Sequence, residues 1–172
     1  MDRIDDRFFR MGIRIFAVSL LIFVIVYSAY YLYVYMNWGL REGVGYLFLS
    51  DGIFLLLLPV AVLLFFLHRA GWWMAMIVFT YFLTAKLVGI AANFFLLQAG
   101  IIIDQDGGLR WGIELFYLFI YVGILLGLSL KPVKTELGVY TNRMKIPAFW
   151  KIFPPAIVLY GLQFYAAFQL MN

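Results

Sequence analysis

Read as hydrophobic and polar positions, the chain divides into five long apolar runs joined by short polar connections, at about residues 15–37, 45–67, 72–97, 112–130 and 153–170. At ~1.5 Å rise per residue the first three cross a hydrocarbon core of ~30 Å comfortably, and the fourth is close to the minimum length. The third has room to tilt or to continue into Ile101–Ile103. The fifth opens with Pro154-Pro155, tolerated where a first helical turn has no acceptor for the missing N–H groups. The pattern predicts an all-α integral membrane protein, a bundle of five transmembrane helices forming one domain over residues 1–172. The alternative is four helices plus a re-entrant or partly inserted C-terminal helix. The first run lacks a small-residue cleavage site and reads as an uncleaved anchor.

Two polar connections carry a helical period of their own. Near the N-terminus Arg3, Arg7, Arg10 and Arg14 recur at spacings of four, three and four, with Ile4, Phe8, Met11 and Ile15 one residue further on. Between the fourth and fifth runs Val133, Leu137, Tyr140 and Met144 line up in the same way, flanked by Lys131, Lys134, Arg143 and Lys145, although Gly138 weakens the helix. Both read as amphipathic helices lying at the inner interface, with these cations on anionic lipid headgroups or a partner.

Composition agrees. Of 172 residues, 66% are hydrophobic and 13% charged, against roughly 25% charged in a soluble domain. The placement of the cations says more than the net charge of +4. With the N-terminus cytoplasmic, the inner segments hold ten Lys and Arg and the outer segments only Arg41 and Arg110, which the positive-inside rule favours. Trp38 and Trp111 then fall at outer helix ends and Trp72, Trp73 and Trp150 at inner ends, where an amphipathic ring anchors at headgroup level.

One residue violates the apolar pattern: Lys86, inside YFLTAKLVGIAANFF. Counted from the inner end of its helix it lies ~21 Å up, while Asp51 and Glu114 on neighbouring helices lie at ~24 Å and ~24–26 Å. A cation and two carboxylates thus share one depth. Asn93 follows Lys86 on the same helix face, and Tyr117 and Tyr121 follow Glu114 on theirs, so the six residues define a candidate intramembrane polar layer. Such groups mark a functional site by default; the competing explanations are a structural ion pair and a snorkelling lysine. Separately, Gly123 and Gly127 form a GxxxG that suits close helix packing, on a neighbour or on another copy.

The missing residues are also informative. There is no cysteine, which excludes thiolate chemistry and Cys-based metal sites, and His68 is the sole histidine, which excludes bis-histidine haem ligation within one chain. No nucleophile elbow and no phosphate-cradling glycine loop occurs. No catalytic residue, metal site or cofactor is expected, and nucleic acid is not an expected partner. Expected partners are membrane lipids and other membrane chains or copies of itself, in a bacterial inner membrane. The sequence supports a non-enzymatic accessory or assembly subunit; the alternative is an oligomeric channel or transporter using the polar layer. A membrane-embedded acid–base enzyme acting on a lipid-like substrate is a third, less favoured class.

Overall fold

The computed structural model describes residues 2–38, 52–100, 111–139 and 149–171, with side chains over 7–37, 52–100, 111–139 and 150–165. Within them every regular element is helical and there is no strand. The order is α1 (Asp2–Trp38), a 3₁₀ turn (Gly52–Leu56) running into α2 (Leu57–Phe65), α3 (Arg69–Gln98), α4 (Trp111–Ser129), the short α5 (Lys131–Glu136) and α6 (Phe149–Met171). Among the described residues three helices are long and apolar enough to cross a membrane: Arg7–Asn37, Arg69–Gln98 and Trp111–Ser129. They coincide with the first, third and fourth apolar runs. Of the second run, residues 52–65 form a shorter apolar helix, and 45–51 lie outside the described residues.

The core sits where α1, α2 and α3 meet. On α1, Ile13, Ala17, Leu20 and Val24 repeat at spacings of four, three and four, which puts them on one face. They meet Leu57, Val60, Ala61 and Leu64 of α2. Helix α3 is the hub, packing against α2, α4 and α6. Helix α4 is peripheral, with Leu128 its one buried residue among those described.

The α2–α3 turn shows how local chemistry sets this packing. Leu67 takes a left-handed φ of +54°, and the turn closes with Leu67 N–H on Leu64 O and His68 N–H on Leu63 O, both at 2.9 Å. This is a Schellman ending, usually built on glycine; here Leu67 also packs on the core, which offsets its backbone strain. His68 then caps α3, its Nδ1 accepting from Ala70 N–H at 3.2 Å. That bond requires Nδ1 to be bare, with the proton on Nε2. One turn on, Gly71 lies so close to α2 that an added Cβ would stand 2.8 Å from backbone atoms of Leu63 and Leu64. The hairpin can close only around a glycine there.

Three expectations need correction. The N-terminal arginine stretch is not a separate interfacial helix: α1 is unbroken from Asp2 to Trp38, because no Pro or Gly pair interrupts it. The helix that opens the basic stretch after the fourth run ends at Glu136, after less than two turns. Gly138, at φ +64°, ends α5 with its own N–H on Thr135 O and Val139 N–H on Lys134 O, a second Schellman ending. Residues 140–148 lie outside the described residues. Pro154 and Pro155 do not open their helix either; α6 begins at Phe149 and holds both prolines inside, which removes donors from the carbonyls of Trp150 and Lys151.

Candidate functional site

Lys86 projects from the middle of α3 toward the first turn of α4, where its Nζ lies 2.6 Å from Oε2 of Glu114. A further turn along α4 brings the Tyr117 ring under the ammonium, 5.0 Å from Nζ to ring centroid. Glu114, Tyr117 and Tyr121 follow at i, i+3 and i+7, so one helix face supplies a carboxylate and two rings. The ammonium is therefore held by two kinds of negative potential, a full charge and an aromatic face. The carboxylate gains from Lys86 and from its place in the first turn of α4, where unpaired N–H groups carry partial positive charge. With 28% of the Lys86 side chain and 19% of that of Glu114 exposed, the pair lies at the flank of the bundle and not on its axis.

Inward from the pair the chemistry becomes aromatic. Tyr117 stacks on Tyr121 at 6.3 Å, Tyr121 on Phe82 at 5.7 Å and Phe82 on Phe54 at 4.9 Å. Phe54 meets Tyr27 of α1 at 5.3 Å. A row of rings thus crosses the bundle from α4 to α1, ending in the ion pair on one side. Tyr117 and Tyr121, both in the candidate polar layer, begin this row with their rings.

The structure therefore brings Lys86, Glu114, Tyr117 and Tyr121 together. Asn93 is exposed, about 10 Å further along α3, and does not join them. Asp51 lies outside the described residues, as do Arg143 and Lys145 and the side chain of Arg3. The remaining cations have particular neighbours. Arg10 pairs with Glu136 of α5, the guanidinium of Arg14 stands over the Phe65 ring at 5.9 Å, and Lys134 stands over Trp72 at 5.8 Å. Arg7 and Lys131 are exposed. The arginine stripe thus binds α1 to α2 and α5 as well as facing outward.

Among the described residues Gly123 and Gly127 make no close packing, since an added Cβ would meet none of their atoms within 4 Å at either. They line an apolar groove of ≈ 490 Å³ between α4 and the start of α1.

Sequence reasoning missed the other join between α3 and α4. Trp72 is not a headgroup anchor but a core residue, 1% exposed, and its Nε1–H donates to Leu128 O at 2.7 Å. Leu128 O belongs to the last turn of α4, where carbonyls lack intrahelical partners. The one available signal was Gly71 just before it, which implies a close helix approach at that level.

Among the described residues no three His, Asp or Glu side chains gather as metal ligands, and no charged side chain is buried in the core. Compared with known proteins, the chain matches no family model, no curated protein and no solved structure.

Proposed function

We propose that this protein is a non-enzymatic accessory or assembly subunit of a membrane complex, with five spans, its N-terminus in the cytoplasm and a bacterial inner membrane as its site. The observation that carries the reading is the pairing of Lys86 with Glu114. Lys86 and Glu114 neutralise each other at 2.6 Å, and the neighbouring rings continue inward into a core in which, among the described residues, no charged side chain is buried. A conduit for ions or polar solutes needs polar groups in succession along the membrane normal; within the apolar runs the described residues offer one compensated ion pair, Lys86 with Glu114. A pair fixed between two helices instead sets their register. The orientation and the five spans are supported by the ten-to-two distribution of Lys and Arg and by the 23-residue length of α6.

The test is purification in mild detergent followed by mass measurement of the intact complex, with ion flux into protein-containing vesicles as the second readout. The expected outcome is co-purification with other membrane chains and no flux. A ring of identical copies, with a flux abolished by Lys86→Met paired with Glu114→Gln, would replace this reading with the channel or transporter.

A further inference from the structure

We propose that the groove between the start of α1 and the second half of α4 holds one acyl chain of an anionic phospholipid, whose headgroup rests at the basic end of α5. Phe8 and Phe16 form one wall, Phe119 and Ile124 the other, and Leu130 and Val133 close the end toward α5. Every lining side chain is apolar, so an occupant has nothing to hydrogen-bond within the slot. Gly12, Gly123 and Gly127 deepen it, with nothing within 4 Å of an added Cβ at any of the three.

Length and lining select the occupant. From Phe119 to Leu130 the groove runs ~16 Å along α4, with a volume of ≈ 490 Å³. A slot of that length without a polar side chain suits a hydrocarbon chain. Charge selects the headgroup. Val133, which closes the groove, stands between Lys131 and Lys134 on α5. The one carboxylate of α5, Glu136, already pairs with Arg10. Lys131 is exposed, so the end of the slot carries positive charge. An apolar slot ending at lysines complements an anionic amphiphile. This inference stands apart from the accessory role, and either can fail alone.

The first experiment uses the unaltered protein in vesicles containing phosphatidylglycerol with a photoreactive group in its acyl chain. Adducts are expected on residues 8–16 and 119–130; adducts confined to other segments would overturn the proposal. The second measures lipid retained through detergent exchange by native mass spectrometry. The wild type should keep one phosphatidylglycerol and at least tenfold less phosphatidylcholine. Gly123→Leu with Gly127→Leu, which fills the slot without striking a neighbour, should lose it. Lys131→Gln with Lys134→Gln should abolish the preference between the two lipids. Unchanged retention in the filled variant would refute the proposal, as would a wild-type dimer that the filled variant dissociates, since the groove's occupant would then be a second copy. If the filled variant does not fold, the crosslinking on the wild type decides.

Discussion

The same two helices, α3 and α4, are joined twice, and the joints are of opposite kinds. At one end a charged pair, Lys86 and Glu114, meets at the flank of the bundle with part of each side chain exposed. At the other, a neutral indole is sealed inside, its single N–H directed at one carbonyl of Leu128. The charged joint is conspicuous in sequence because an ammonium in an apolar run is rare. The neutral joint is inconspicuous because tryptophan near a helix end has an ordinary explanation as an interface anchor. Rarity in sequence therefore measures how costly a group is to place, not how much packing depends on it. The buried joint is also the one surrounded by other constraints: Gly71 pressed on α2, the Lys134 ammonium over the indole and the cap from His68.

The comparison is broken most severely at the charged joint. Lys86→Met leaves Glu114 facing lipid without its cation, with an expected loss of about 3–5 kcal/mol and a sharply lowered thermal midpoint in mild detergent. Adding Glu114→Gln should restore most of that midpoint; a double variant as unstable as the single would show that the pair is not what the lysine serves. At the buried joint Gly71→Ala drives a methyl into the backbone of α2 and should cost about 1–3 kcal/mol, read on the same melting curve. An unchanged midpoint would mean that the α2–α3 hairpin opens freely. Trp72→Phe keeps most of the ring but leaves Leu128 O without its donor, at about 1 kcal/mol. Faster hydrogen exchange at the end of α4 should accompany it, and slower or equal exchange would count against the bond. Smallest of all, Asn93→Leu should stay within about 0.5 kcal/mol, since Asn93 is exposed and stands apart from the ion pair; a larger drop would show that the polar cluster reaches further along α3.

Much of the architecture was legible because a bilayer imposes one rule on every span. The runs at 15–37, 72–97 and 112–130 coincide with three long apolar helices, since each must satisfy its own backbone hydrogen bonds along its whole length. Of the candidate site, the helices carrying Lys86 and Glu114 and the period placing Tyr117 and Tyr121 beside Glu114 were legible from spacing. The aromatic row was not, because ring stacking from Tyr121 through Phe82 to Phe54 joins three segments with no shared period. Arg10 with Glu136 was illegible for a similar reason: 126 residues separate them, and Arg10 already had a local interpretation in the arginine stripe. Helix ends were legible only in part. Gly138 could be seen as a weakness, whereas the positive φ of Leu67 left no trace in residue type.

The unbroken course of α1 has a consequence in rotation. A helix without a kink carries phase, so the angle between Arg10 and Val24 about its axis is fixed by the count of residues between them, at about 100° each. Arg10 meets α5 while Val24 faces the core, and those two directions agree only at this spacing. One uncharged residue added between them would leave net charge unaltered and composition and hydropathy nearly so, yet swing the arginine off Glu136 by more than a quarter turn. Along this rod the spacing of residues is itself a structural specification, as exacting as their identity.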